Sequence, residues 1–204
     1  MSSVVWRGQD NEGEEYVVSV GSRRDADRFL SHMEAIVSET DRLLQSPEDE
    51  LPDPTTQRAI LDQLDRLKNC LCLIAYRPKL VRQELLGSLT LLGGTTRRTR
   101  HIAKLGMGVR RTVWRRGIGR RLVTESLRWA QRNALVERVA LQVYASNTAA
   151  MSLYEECEPD VLSRYPLSGA YLDIKNKGAG GAVTAGLRTS YEADFQVKLV
   201  ETSH

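Results

Sequence analysis

Little in this chain of 204 residues points to metal, membrane or nucleic acid. Histidine occurs only as His32, His101 and His204, so no cluster of metal-ligating side chains appears and no metal is expected. The three cysteines are an odd number, and Cys70 and Cys72 lie inside an apolar run. Thiols buried in a reducing cytoplasm account for them better than disulfides. No apolar stretch is long enough to span a bilayer, and Met1–Gly13 is polar, without the apolar centre of a signal peptide. The net charge is only +3, too small for an overall basic field that would demand nucleic acid. Two phosphate-binding signatures are missing as well. There is no Gly-Lys-Ser/Thr, which argues against a P-loop, and Leu122 stands where a dinucleotide fingerprint needs its third glycine.

The positive charge that exists is local. Arg97, Arg98, Arg100, Arg110 and Arg111 precede the octet Trp114–Arg121, which reads Trp-Arg-Arg-Gly-Ile-Gly-Arg-Arg. Before it lies the apolar run Leu105-Gly-Met-Gly-Val109, a strand by composition. After it apolar residues recur at helical spacing: Ile118, Leu122, Val123, Leu127, Ala130 and Ala134. The octet is therefore a strand-to-helix turn. Gly117 and Gly119 permit backbone angles and close approaches that a side chain would forbid. The first amides of the helix have no intrahelical partner, and they sit at the positive end of its dipole. Such a turn suits a phosphate or pyrophosphate, with Arg115, Arg116, Arg120 and Arg121 adding charge of the same sense. The bland alternative is a tight turn with solvated arginines.

Along the chain, Met1–Gly13 reads as a flexible lead-in, and residues 14–204 read as one domain with no linker and no repeat. Tyr16–Val20 reads as a first strand. Ser22 caps a helix whose stripe is Phe29, Met33, Ile36, Val37 and Leu44. Residues 46–54 form a Pro- and acid-rich loop, and a second helix starts near Thr55 with Ile60, Leu64 and Leu67 inward. Cys70–Tyr76 has the continuous apolar pattern of a strand covered on both faces. Glu84–Leu92 and His101–Arg110 are further strands, and Arg138–Tyr144 alternates with Val139, Leu141 and Val143 on one face. Later pieces are fainter: Asp160–Tyr165, Ala170–Ile174 and Tyr191–Val200 as strands, and Lys175–Ser190 as a Gly/Ala-rich mobile loop. The order of elements is that of an α/β protein with helices for both faces of a mixed sheet.

The Arg/Gly turn is followed by a helix, a strand and then Asn147-Thr-Ala-Ala150-Met-Ser-Leu153-Tyr154-Glu155. From about Leu105 to Glu155 this succession resembles the GCN5-related N-acetyltransferases, the GNAT family. The resemblance implies the GNAT fold, a mixed, mostly antiparallel sheet of about six or seven strands with splayed central strands and helices on both faces. It also implies acetyl-CoA as the acetyl donor and a primary amine, of a small molecule or a protein, as acceptor.

The family pattern distributes the work over named residues. It places the pyrophosphate on the amides of Arg115, Arg116, Gly117, Ile118, Gly119 and Arg120. Its opening residue is usually Gln or Arg where this chain has Trp114. Met107, Gly108 and Val109 match the segment whose backbone pairs with the pantetheine arm, in a slot opened where this strand splays from Arg138–Tyr144. Asn147 matches a residue that bonds the arm, although Asn also starts helices well. Asn147, Ala150 and Tyr154 share one helical face at i, i+3 and i+7. Tyr154 matches the general acid, a phenol that is protonated at neutral pH and able to give its proton to a departing thiolate. Relatives carry Glu where this chain has Gln142 and Lys104, which leaves His101, Tyr144, Asp173, Glu39, Asp41 or a water chain to accept the amine proton. In this fold the acceptor groove lies near Glu39–Thr56 and Tyr165–Asp194. The expected partners are acetyl-CoA and an amine, with a homodimer left open and neither membrane nor nucleic acid. A non-catalytic acyl-CoA sensor of the same fold is the alternative that the missing Glu residues motivate.

Overall fold

The computed structural model describes residues 3–41, 43, 48–78, 84–144, 147–162 and 182–185. Seven strands form one sheet in chain order: β1 (Val4–Gln9), β2 (Glu15–Val20), β3 (Leu71–Tyr76), β4 (Leu85–Gly93), β5 (Ile102–Val109), β6 (Arg138–Tyr144) and β7 (Ala182–Ala185). All neighbours are antiparallel except β5 and β6. That parallel pair needs a crossover, which α3 (Ile118–Arg132) supplies. Helices α1 (Ala26–Glu39) and α2 (Pro54–Arg66) cover one face, while α3 and α4 (Thr148–Leu162) belong to the other.

β3 shows why its sequence is apolar throughout. Leu71, Leu73 and Ala75 join the core under α3, whereas Cys72 and Ile74 join the core under α1 and α2. With both faces covered, no position is free to be polar. The α3 core also takes Ala103 and Leu105 of β5 and the helical stripe Ile118, Leu122, Val123, Leu127 and Ala130. α2 begins where Asp53 accepts the amides of Thr55 and Thr56 at 2.8 and 3.2 Å, with Pro54 at the first helical position. Ahead of α1, a 3-10 turn (Arg23–Asp25) follows Ser22, whose N–H and Oγ both donate to the Asp25 carboxylate.

Several expectations are corrected. The lead-in expected over Met1–Gly13 contains strand β1. Its polar sequence reflects an edge position with an exposed face, held inward by Trp6 tilted against Tyr16 at 4.7 Å. The turn Asp10–Gly13, closed by Gly13 at φ 83°, makes β1 and β2 a hairpin, so the boundary expected at residue 13 falls inside it. Leu67 is 37% exposed rather than inward, because α2 ends at Arg66 and extended backbone takes Leu67 off the stripe; Leu61 fills the core instead. Asp160–Leu162, expected to open a strand, continues α4. Within the loop expected over Lys175–Ser190, Ala182–Ala185 pairs with β6 as β7. Leu44, Ala170–Ile174 and Tyr191–Val200 lie outside the described residues.

Candidate functional site

β5 has two unlike neighbours. On the β4 side its register runs unbroken from Ala103 to Val109. On the β6 side it stops at Leu105 paired with Leu141, so Gly106–Val109 and Gln142–Tyr144 are not paired with each other. Arg110 sends its N–H to the Leu86 carbonyl of β4 at 2.9 Å. By the alternation of a strand, Met107 and Val109 then aim their N–H and C=O groups the other way, into the opening, while Gly108 faces β4. One of those groups is already engaged: the Trp114 indole N–H donates to the Val109 carbonyl at 2.7 Å. The bare α1 face of Gly108 lets that helix settle close, and a methyl built there would lie 2.2 Å from Ile36 Cδ1.

The turn into α3 lies beside this opening. Arg115 takes a left-handed backbone at φ 62° and Gly117 another at φ 86°, the second a position that suits only glycine comfortably. Gly117 is the N-cap of α3 and offers no side chain to the helix amides, unlike Asp53 at α2. The first intrahelical bond runs from Arg121 N–H to Gly117 O at 3.0 Å. The amides of Gly117, Ile118 and Gly119 precede it, where no helix carbonyl reaches them, and Arg120 completes the turn. Of the amides expected to serve an anion, that of Arg116 is instead directed to Val113 O at 3.4 Å. A methyl at Gly119 would lie 3.3 Å from Leu153 Cδ2, 3.7 Å from Met107 Cε and 3.7 Å from Val109 Cγ2. Loop, strand and the helix carrying Tyr154 thus converge on one glycine.

The arginine side chains do less than their number implies. Arg116 pairs with Asp10 and Glu12, Arg120 with Glu156, and Arg121 with Glu125 while its guanidinium stacks 4.4 Å over Trp6. Much of the formal charge is thereby balanced within the protein. What the turn presents is backbone N–H groups, the helix dipole and the exposed Arg115.

On α4, Asn147 caps the helix: its Oδ1 accepts the Ala150 amide at 3.2 Å, and its carbonyl accepts that of Met151. The helix-start role of this residue is therefore present. Tyr154, half-buried, packs against the core under α3. Burial, helped by the nearby Cys157, pushes its phenol up to about 12, so the proton is retained across the neutral range.

The base candidates separate by position. His101 precedes β5 at its paired end, about 17 Å of strand from Gly106 at the usual rise per residue, and its carbonyl accepts the amides of Glu137 and Arg138. Burial alone would raise the Glu39 carboxyl, but the Arg111 N–H at 2.6 Å and the Arg110 guanidinium at 2.7 Å together hold it below the usual range. Glu39 is thus a locked anion at the end of α1. Asp41 is exposed beyond that helix, and Asp173 lies outside the described residues, as does much of the expected acceptor groove. Among the described residues no group of side chains could hold a metal ion, and no helix is long and apolar enough to cross a membrane.

Two features were missed by reading the sequence. One is the β1–β2 turn, whose Asn11 contacts the loop at Arg115 and Arg116. Its signal was available in Asp10-Asn11-Glu12-Gly13 ahead of an apolar strand. The other is His32, 2% exposed on α1. Burial lowers its pKa to about 4, and although the Gly108 and Leu85 backbones approach the ring, neither nitrogen makes a well-formed hydrogen bond among the described residues.

Comparison with known proteins adds an independent finding. The model of the acetyltransferase (GNAT) family matches residues 35–158. No curated protein sequence matches significantly. Among solved structures, a GNAT-family acetyltransferase from Streptococcus pneumoniae is 23% identical, with a TM-score of 0.65 over 70% of this chain and 83% of that one. The GNAT domain of S. lividans PAT is 16% identical, with a TM-score of 0.64 over 88% of this chain and 94% of that one. Diaminobutyrate acetyltransferase from Paenibacillus lautus, in complex with L-2,4-diaminobutyric acid and coenzyme A, is 17% identical, with a TM-score of 0.52 over 72% and 77%. At these identities the likeness is one of fold.

Proposed function

Since the chain belongs to the acetyltransferase (GNAT) family, we propose that it is an acetyl-CoA-dependent N-acetyltransferase acting on a primary amine of a small molecule or a protein, with Tyr154 as general acid. The observation that carries this reading is the loss of β5–β6 pairing beyond Leu105 and Leu141, beside a helix that starts without a side-chain cap. The opening offers Met107 and Val109 backbone groups to a pantetheine arm. The helix start offers the amides of Gly117, Ile118, Gly119 and Arg120 to its diphosphate. Asn147, at the start of α4, has its Nδ2 to offer to the arm.

The amine nitrogen attacks the thioester carbonyl, the C–N bond forms, the C–S bond breaks, and the departing sulfur takes a proton from the Tyr154 hydroxyl. An ordinary thiol is more acidic than this phenol, so transfer would be uphill in water. Burial narrows the gap. Desolvation raises a thiol as it raises a phenol: burial pushes the Cys72 thiol of the same protein up to about 12, and loss of water around the leaving sulfur acts in that direction. Glu39, held as an anion by the Arg110 guanidinium and the Arg111 backbone N–H, is a poor acceptor for the amine proton, and water serves in its place.

Calorimetric titration with coenzyme A and acetyl-CoA, followed by thiol release from acetyl-CoA over a panel of amines, tests the reading. Binding together with release for at least one amine is expected. No heat with either ligand would defeat it, and tight binding with silence across the panel would favour the acyl-CoA sensor.

A further inference from the structure

The hairpin turn between β1 and β2 touches the anion-binding turn at two consecutive peptides. Asn11 Nδ2 donates to the Arg115 carbonyl at 3.0 Å, and the Asn11 backbone N–H donates to the Arg116 carbonyl at 3.1 Å. In a planar trans peptide the N–H points opposite to the C=O. Anchoring the Arg115 carbonyl therefore turns the Arg116 N–H away from the hairpin, toward Val113 O. Anchoring the Arg116 carbonyl turns the Gly117 N–H away from the hairpin in the same manner. Both peptides flank left-handed residues, Arg115 at φ 62° and Gly117 at φ 86°, a backbone that an L side chain holds only when its surroundings enforce it.

The clamp is itself stiff. The Asp10 carboxylate, with none of its side chain exposed, accepts the amides of Glu12 and Glu14 at 3.0 Å each. It also faces Arg77 at 3.3 Å and Arg116 at 3.4 Å. Burial works against its charge, but these donors outweigh burial and leave the carboxyl below its usual range. Asp10, Asn11, Glu12 and Glu14 precede residue 35, where the match to the family begins, whereas Arg77 and Arg116 lie within it.

We propose that Asn11 is a positioning residue for the cofactor turn: its side chain, through the Arg115 carbonyl, holds the left-handed Arg115, and this keeps the Asn11 backbone N–H on the Arg116 carbonyl, which orients the Gly117 amide before the ligand arrives. The inference rests on the acetyl-CoA reading above. Preorganisation of this kind adds affinity because the strained backbone is already ordered in the free protein. It also explains how Arg116 serves: through Asp10 and Glu12 of the turn rather than through a free charge.

The test compares wild type, Asn11→Ala and Asn11→Leu, the second keeping the approximate size of the side chain but losing the Nδ2 donor without adding a charge. Three quantities are read: the dissociation constant for coenzyme A by calorimetry, the melting temperature, and the amide proton shift of Gly117 on adding coenzyme A. Both variants are expected to weaken coenzyme A about tenfold, the worth of one well-placed hydrogen bond. Both should melt near wild type and show a reduced Gly117 shift. Affinity within twofold of wild type, or an unchanged Gly117 shift, overturns the inference while leaving the acetyl-CoA reading intact. Wild type that binds no coenzyme A overturns both.

Discussion

The two sides of β5 contrast within one strand. Toward β4 every position from Ala103 to Val109 is in register, and Leu89, fully buried, stands opposite Met107. Toward β6 only Ile102–Leu105 pair, and the backbone beyond them is not paired with that strand. One side commits its hydrogen bonds to the sheet, while the other leaves the Met107 backbone and the Val109 N–H outside the β5–β6 pairing, the groups proposed above for the ligand. A strand can do both because its successive peptides point to opposite edges.

That contrast is open to attack from both edges. The largest effect is expected on the closed side. Leu89→Ala empties a fully buried site and should cost about 2–5 kcal/mol of stability by chemical denaturation. The coenzyme A affinity of the folded fraction should stay near wild type, and a selective loss of affinity at full stability would blur the division. On the open side, Tyr154→Phe should cut turnover by about 100-fold, in line with removal of a general acid, with coenzyme A affinity and melting temperature nearly unchanged. Unaltered turnover would take Tyr154 out of the acid role.

A smaller effect belongs to His32, again on the closed side, where α1 lies over Leu85 and Gly108 with Arg110 and Glu39 nearby. The folded ring titrates at about 4, below its unfolded value, so the unfolded chain binds the extra proton between roughly pH 6.5 and 4. Stability is then complete above that window and falls as pH drops through it, by about 2 kcal/mol between pH 7 and 5. His32→Gln should flatten this slope in denaturation curves. A slope that survives the substitution would assign it to other groups.

The parts of the molecule differ in how plainly they could be read. β3 and α3 were legible because their residues answer to local rules: a strand covered on both faces is apolar throughout, and a covered helix carries one stripe. The octet was legible as a turn because Gly117 must adopt a left-handed backbone there. Its charge was not. Arg116, Arg120 and Arg121 look like a free basic patch in the sequence, yet their partners Asp10, Glu12, Glu156 and Glu125 come from three different elements. β1 escaped for a related reason, since an edge strand needs little hydrophobicity of its own once Trp6 finds Tyr16.

By itself, then, the amino-acid order determined the strands β2 to β6, the helices α1 to α3, the turn into α3 and the family likeness between Leu105 and Glu155. These depend on contacts within a few residues, where side-chain period and backbone preference decide the outcome. Only the tertiary structure decided where β5 parts from β6, which carboxylate neutralises which arginine, and that Asn11 holds a loop more than a hundred residues away. Such facts depend on the meeting of distant segments, and chain order does not encode their distances.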